Sequence, residues 1–433
     1  MQLNRPRSIR PAIAAITATL MGTGVSAQPE LSKVESSLLV YSETSRVKAL
    51  ESVTGVTWKL EGDRTASVKF TYDGLTGASP SGAAPSRHIQ TFTRPSGQAS
   101  YSVAPGSMPL DNTFTDSRIS LDGSISLPLN RLVVSSFGGH YSNEHDYSSF
   151  GINSSLTLDL FRKNTTIGVS GALSHDLVSP KSGAPTPFTA LMAQPVNVGG
   201  GEGDEEGGAV GGPSKSKNVL DAVVSLTQIL DRKTLVRFNY SYSRSAGYLN
   251  DPYKILSVVQ NQNDVEPGEP VQYLFESRPD LRMKYAWFGQ IRRYIAGNTI
   301  DLSYRYFWDD WGIKSHTTEL FYLQQLGRGF AVKPHLRWYQ QSQADFYRQY
   351  LVNGDQLPKY ASADYRLGAF DANTYGMQLI MPVGERTHFN IAAEYYRQTG
   401  KRGPPNSLGV LRQFKLFPDM TSMMVRTGIT VDF

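Results

Sequence analysis

Charged side chains recur at alternate positions of strand-like segments in the second half of the chain. Arginine and lysine facing aspartate and glutamate can filter ions, bind a solute or pair into an internal network. On a lipid-facing surface an arginine or lysine at the bilayer midplane costs about 2 to 4 kcal/mol, so these side chains should face a lumen. The inward set is Arg237, Lys284, Arg292, Asp301, Arg305, Asp309, Glu319, Lys333, Arg337 and Glu394. A charged lumen lines an aqueous passage or fills itself with ion pairs, and the sequence leaves both open.

A second group of polar residues lies in the long segment 246–280, which also carries the apolar run ILSVV. An ordered segment of this size with buried-type residues should fold against a barrel mouth or into its lumen. A packed lid without a ligand is the alternative. The candidate binding or constriction residues are Asp251, Tyr253, Lys254, Arg278, Arg282, Arg292, Arg305 and Arg337.

Two further stretches invite a metal or catalytic interpretation. GGGEGDEEGGAVGG, residues 199–212, could hold a hard cation such as calcium, but its spacing matches no defined loop, and a solvated flexible loop is favoured. HYSNEHD brings together His140, Glu144, His145 and Asp146, for which ordinary polar rim residues are favoured over a metal site. The chain has no G-x-S-x-G element, so an enzyme is not favoured. It also has no cysteine and no cofactor motif, so no cofactor is predicted.

Strands must position these residues, because apolar and polar side chains alternate with period two. In FGINSSLTLDL, Phe150, Ile152 and Leu156 alternate with small polar residues. Sixteen such segments are predicted, at residues 33–42, 46–60, 64–74, 116–129, 131–142, 148–160, 165–176, 217–230, 233–245, 281–294, 298–310, 313–326, 330–343, 370–383, 387–399 and 421–433.

The connections indicate which all-β architecture these strands form. Every second connection is tight, as in EGDR, PLNR, FRKN and IAGN, whereas the long connections all fall on the opposite parity. Outer-membrane barrels have short periplasmic turns and long extracellular loops. We therefore predict an all-β protein, a single antiparallel transmembrane barrel of about sixteen strands in one domain, residues 28–433.

The first 27 residues predict a secretory signal peptide, because three arginines precede an apolar run and the small-residue site Val25-Ser26-Ala27. Removing them would lower the formal net charge from +5 to +2, which weakens a nucleic-acid interpretation. The whole chain has a mean hydropathy of −0.33, which fits a barrel that hides its apolar surface in alternate residues. The predicted location is the cell outer membrane, in contact with its lipid.

The final segment TSMMVRTGITVDF predicts a last transmembrane strand that ends on an aromatic residue. Met423, Val425 and Ile429 should face lipid, with Arg426 inward. The terminal Phe433 resembles the signal by which barrel-assembly machinery recognises outer-membrane proteins, so that machinery is an expected partner.

Four motifs resemble a family of uncharacterised proteobacterial outer-membrane proteins, catalogued as a domain of unknown function. They are MPLDNTFTDSRISLD at 108–122, HDYSSFGINSSL at 145–156, LNDPYKILSVV at 249–259 and RPDLRMKYAWFGQ at 278–290. The resemblance implies an outer-membrane barrel, sometimes found with envelope thioredoxin-like or flavin-transfer proteins. It implies no activity and no catalytic residues.

Three functions follow as expectations. The first is a porin-like channel or solute-binding barrel, with segment 246–280 constricting the mouth. The second is a closed barrel that serves as scaffold for an envelope redox or secretion partner. The third is an outer-membrane hydrolase.

Overall fold

The computed structural model describes residues 29–77, 80–93, 100–191, 211–401 and 407–433. The predicted signal peptide and the acidic residues of the stretch 199–212 lie outside these ranges. The described strands are β1 (Glu30–Glu43), β2 (Lys48–Leu60), β3 (Arg64–Thr76), β4 (Gln90–Thr93), β5 (Ser100–Val103), β6 (Thr115–Pro128), β7 (Val133–Asn143), β8 (Tyr147–Leu160), β9 (Thr165–Val178), β10 (Ala184–Pro185), β11 (Gly211–Gly212), β12 (Lys215–Asp231), β13 (Thr234–Gly247), β14 (Ile255–Val259), β15 (Pro270–Phe275), β16 (Leu281–Ile295), β17 (Asn298–Asp309), β18 (Lys314–Gly327), β19 (Phe330–Gln341), β20 (Leu351–Val352), β21 (Phe370–Pro382), β22 (Thr387–Gly400) and β23 (Met420–Asp432). Two short 3-10 helices cover Tyr365–Leu367 and Gly409–Gln413.

Sixteen of these strands close into one antiparallel barrel, in the order β1-β2-β3-β6-β7-β8-β9-β12-β13-β16-β17-β18-β19-β21-β22-β23. Strand β1 pairs with β23 from Lys33↔Asp432 to Glu43↔Ser422, which joins the first strand to the last. The predicted strand number and fold class are confirmed, and the predicted bounds differ from the observed ones by a few residues. Closure gives every barrel strand two neighbours, so no backbone edge is left unpaired. No helix in the described ranges is long and apolar enough to cross a membrane.

The outer surface of the barrel carries the apolar half of the alternation. On β8, Phe150 is 59% exposed and Ile152 52% exposed, while Gly151 between them is buried. Aromatic side chains cluster on the same surface, with Tyr240 and Trp287 ring centroids 4.6 Å apart and Tyr285 stacked on Trp308 at 5.4 Å. Apolar side chains this exposed on every side of a closed sheet face the hydrocarbon core, and aromatic groups are typical of its interface.

Tight turns connect the strands at one rim. Ala296 and Gly297 both have positive φ, 49° and 89°, as the two central residues of a mirror-image hairpin turn between β16 and β17. The other connections at this rim span 61–63, 129–132, 161–164, 232–233, 328–329 and 383–386. This is the periplasmic rim, and the long connections all lie at the opposite, extracellular rim.

The long connections pack together into one structure, here named the cap, formed by described residues from 80–93, 100–114, 179–191, 248–280, 342–369 and 407–419. Strand β14 lies at its centre, paired with β15 on one side and with β20 on the other. All five residues of β14 are buried, and Leu256 and Val259 have no exposed surface. Burying an aliphatic side chain contributes about 1.5 to 3 kcal/mol. The expectation that segment 246–280 packs rather than extends into water is confirmed.

Close backbone approach joins two of these segments. Gly268 has φ of +88°, and a Cβ there would lie 2.3 Å from the carbonyl oxygen of Leu408. Gly409, with φ of +48°, would meet the carbonyl of Pro267 in the same way. Only glycine allows these two segments of the chain to cross at this distance and in this conformation.

Candidate functional site

Six charged side chains meet inside the cap, and we name them the charge cluster. Three are acids and three are bases, so their formal charges cancel. The segment between β13 and β16 supplies four of them and the segment around the first 3-10 helix supplies two. The members are Asp251, Lys254, Glu276, Arg278, Asp364 and Arg366.

Asp364 connects two arginines in this cluster. Arg278 Nη2 donates to Asp364 Oδ2 at 2.9 Å and to Glu276 Oε2 at 2.9 Å. Arg366 Nη2 lies 2.6 Å from Asp364 Oδ2 and 2.5 Å from Asp251 Oδ2. The Asp364 and Glu276 side chains are each 1% exposed, whereas Arg366 is 54% exposed. The cluster therefore ties segment 248–280 to segment 342–369 through buried carboxylates.

Burial and charge act against each other on these groups. Burial alone would raise the pKa of Asp364, but the nearby Arg366 and Lys254 outweigh it and hold that pKa well below its usual range. Burial lowers the pKa of Lys254, even though Asp364 and Asp251 lie close to it. Lys254 Nζ donates to the Pro80 carbonyl at 2.8 Å, so this buried amine has a partner from another segment of the cap.

Tyr253 and Arg282 connect the cap to the barrel rim. The Tyr253 hydroxyl donates to the Asp146 carboxylate, in the turn between β7 and β8. Arg282, at the start of β16, donates to Asp309 Oδ2 from Nη2 at 2.5 Å. Its guanidinium also lies over the Trp311 ring, 4.3 Å from the centroid. The sequence singled out Tyr253 and Arg282, but only the structure identifies their partners.

Two cavities lie directly beneath the cap and share Arg278 and Arg282 in their walls. The first, about 510 Å³, has acidic groups on its wall, including Asp116, Glu144 and Asp146. The second, about 480 Å³, is lined by five arginines and one carboxylate: Arg278, Arg282, Arg305, Arg337 and Arg366, with Asp364. The second cavity is named the arginine cavity.

The structure brings seven of the eight candidate residues to these two cavities or to the charge cluster beside them, and Arg292 is the exception. Arg292 lies ten residues beyond Arg282 on β16, about 33 Å along the strand. There its Nη2 lies 2.6 Å from Asp301 Oδ2. Arg292 therefore belongs to the periplasmic half of the lumen.

Deeper in the lumen, a histidine of β19 bridges carboxylates of β18 and β22, with β21 between β19 and β22. His335 Nε2 lies 3.0 Å from Glu319 Oε1 and its Nδ1 lies 3.1 Å from Glu394 Oε1. The ring stacks on Phe321 at 4.1 Å, and Lys333 covers the same phenylalanine. In this part of the wall, Glu319 and Glu394 have His335 as a partner from within the lumen.

The HYSNEHD residues have different partners in the structure, although His145 Nε2 stays 3.8 Å from Asp146 Oδ1. His140 faces the lumen from β7 and its Nδ1 lies 2.8 Å from Asp122 Oδ1, while Lys69 approaches the same carboxylate at 3.1 Å. Asp146 accepts the Tyr253 hydroxyl instead. Within the described ranges, no group of three or more His, Asp or Glu side chains is arranged to hold a metal ion.

Sequence reasoning missed Glu276, Asp364 and Arg366, which complete the charge cluster. Glu276 lies two residues before Arg278, in the same segment that carried the other candidates. Asp364 and Arg366 are in a poorly marked connection, 88 and 90 residues after Glu276. Their closeness to Glu276 depends on loop packing, for which a single sequence has no local signal.

A family model described as "Protein of unknown function (DUF3570)" matches residues 10–431. The chain belongs to the DUF3570 family. This DUF3570 chain closes into a sixteen-stranded barrel with an apolar outer surface, and it is an outer-membrane protein in contact with lipid. No curated protein compared with it is a match.

Solved outer-membrane proteins are similar to this DUF3570 barrel at low identity. A ferric enterobactin receptor (PfeA) mutant from Pseudomonas aeruginosa is 11% identical, with a TM-score of 0.41. The match covers 86% of this chain and only 55% of the receptor's length. A bacterial polysaccharide outer membrane secretin is 9% identical with a TM-score of 0.44, with 93% of this chain and 99% of that one covered. The CymD monoaromatic hydrocarbon channel is 8% identical with a TM-score of 0.38, with 94% and 89% covered. These values support no statement about solute, partner or activity.

Proposed function

We propose that this barrel passes or binds a small solute and that the cap narrows its outer mouth. The observation that carries the proposal is the unfilled space under the cap, where two cavities of about 510 and 480 Å³ adjoin lumen walls. A third cavity of about 490 Å³ lies lower, beside Glu35, Lys69 and Arg426. Sixteen-stranded barrels are wide enough to leave an aqueous channel, and cavities of this size suit small-molecule ligands.

The lumen wall supports the same proposal. On the β7 and β8 wall, the inward positions alternate with exposed Phe137 and Phe150 and include Ser136, Gly138 and Ser155, which are too small to fill the interior. The wall formed by β16 to β19 carries many of the charged inward residues, including Arg292, Arg305 and Arg337. Charges that line a solute path filter ions by sign.

A closed scaffold is the second candidate, because the cap has an interior of its own. Phe92, Leu411 and Phe417 are at most 1% exposed, and the charge cluster is neutral. A cap this well packed could seal the barrel and present an outer surface to an envelope partner. We propose no enzymatic role, because the sequence carries no G-x-S-x-G element.

Single-channel recording in a planar bilayer distinguishes the two candidates. Purified full-length protein should give discrete conductance steps. Asp364→Asn, which weakens the cap, should raise the conductance or the open time, whereas Asp355→Asn should change neither. Asp355 is an exposed residue of the same segment, and no side-chain ion pair of it is described. Silent bilayers with both correctly folded wild type and Asp364→Asn would count against a solute path and favour the scaffold.

A further inference from the structure

The arginine cavity holds more positive charge than its carboxylates neutralise. Three of its five arginines have carboxylate partners: Arg278 with Glu276 and Asp364, Arg366 with Asp251 and Asp364, and Arg282 with Asp309. Arg305 and Arg337 have no ion pair within 4 Å in the part of the chain that the structure describes. Each lies near an aromatic ring instead: Arg305 is 5.9 Å from the Phe288 centroid and Arg337 is 5.5 Å from Tyr339.

The two arginines without a carboxylate within 4 Å are placed to act on one ligand. Glu319 lies opposite Arg337 in the register of β18 and β19, but its carboxylate contacts His335 Nε2 instead. Arg305 is in register with Thr317 of β18, and Thr317 is in register with Tyr339 of β19, two residues from Arg337. The Cα atoms of Arg305 and Arg337 are therefore separated by two strand spacings and two residues along a strand, which gives about 12 Å. Both long side chains project into the same cavity of about 480 Å³, together with Phe307 and Tyr339.

Guanidinium groups left without a carboxylate repel one another and lower the stability of the empty site. Their planar donor forks match carboxylate and phosphate oxygens, which can bind in a bidentate manner. The cavity opens below the cap, so a ligand could reach these forks from the lumen. The Thr317 hydroxyl on the same wall adds a neutral donor.

From this geometry we infer that Arg305 and Arg337 form a binding site for a small oxyanion, a carboxylate or phosphate compound, under the cap. This inference rests on the proposed solute path and names the class of solute. The site selects by charge, because Arg305 and Arg337 neutralise the ligand that replaces their missing partners. The aromatic rings beside them accommodate an apolar body attached to the anionic group.

The test uses the full chain and the double variant Arg305→Gln/Arg337→Gln. Arg237→Gln is the matched control, because Arg237 also faces the lumen but does not line the arginine cavity, and its Nε donates to Thr227 Oγ1 at 3.4 Å. Reversal potentials are measured in a potassium chloride gradient, and inorganic phosphate and succinate are added separately as blockers. All variants are first checked for heat-modifiable, folded migration.

Wild type should prefer chloride over potassium, and phosphate or succinate should block its current. The double variant should lose this preference and bind the blocker roughly tenfold more weakly than wild type. Arg237→Gln should behave as wild type. The stronger blocker identifies phosphate or carboxylate as the oxyanion. Unchanged selectivity and block in the double variant would overturn the site while leaving the solute path intact.

A silent bilayer would reject the channel and leave the site to be decided by calorimetry. Titration of the detergent-purified protein with phosphate and with succinate should give heat of binding for wild type and Arg237→Gln, and roughly tenfold weaker binding for the double variant. Equal heats for all three proteins, or no heat for wild type, would overturn the oxyanion site.

Discussion

Replacing Asp364 with asparagine should loosen the cap without unfolding the barrel. The substitution keeps the size of the side chain but removes the charge that both Arg278 and Arg366 contact. Removing one member of a buried ion pair costs about 3 to 5 kcal/mol. Arg278 keeps Glu276 and Arg366 keeps Asp251, and the Arg366 side chain is 54% exposed, so the lower end of about 3 kcal/mol applies.

This cost falls on the cap, because the barrel strands hold one another through their own hydrogen-bond ladders. About 3 kcal/mol corresponds to a factor of roughly 150 in the equilibrium between packed and open cap. Limited proteolysis of the detergent-purified protein measures it: cleavage within 248–280 and 342–369 should speed up by about that factor when opening is fast relative to cleavage. Heat-modifiable migration of the barrel should stay as in wild type.

Asp355→Asn provides the control for the loss of one negative charge in the same segment. It should leave the cleavage rate unchanged within the error of the assay. Equal cleavage rates for Asp364→Asn and Asp355→Asn would refute the idea that the charge cluster holds the cap together. Faster cleavage accompanied by loss of the folded barrel band would also refute it, because the cap would then not open independently.

Three further predictions concern acid stability, the lipid face and assembly. The pKa of Asp364 is lowered in the folded cap, so its stabilising contribution is fully present above the ordinary aspartate pKa of about 3.9 and is lost as pH falls below that value. The difference in proteolysis rate between wild type and Asp364→Asn should therefore stay constant from pH 8 to pH 5, and a difference that changes near neutrality would contradict this. Ile152→Arg on the lipid face should lower the free energy of unfolding by about 2 to 4 kcal/mol in urea titrations in lipid vesicles. Asn153→Arg, facing the lumen, should lower it far less. Equal losses of stability would mean that the alternation is assigned to the wrong faces. Deleting Phe433, or appending charged residues after it, should reduce the amount of heat-modifiable barrel in outer-membrane fractions if the assembly machinery reads this residue, and normal amounts would rule that role out.

The barrel was predictable from the sequence because each strand and each tight turn is marked by a local, periodic pattern of residues. Each strand shows its two faces in alternate residues, as with Phe150 and Gly151 on β8, and each tight turn shows its own chemistry, as at Ala296 and Gly297. The parity of short and long connections then orients the whole sheet. Membrane location follows from the same alternation, because lipid requires an apolar outer face at every strand.

The cap site depended on contacts between distant segments, which alternation does not encode. The sequence marked Asp251, Tyr253, Lys254 and Arg278 as unusual in a long loop, but their partners come from other connections, such as Asp146 and Asp364.

The sequence by itself determined that this chain forms a lipid-facing barrel with a charged lumen, because each strand carries that pattern within its own residues. Only the tertiary structure decided which charges neutralise one another and which do not. Arg292 and Arg305 look alike in sequence, yet one faces Asp301 across a strand pair and the other faces an open cavity. The difference arises because pairing in a lumen depends on register between strands and on loops that return from far along the chain.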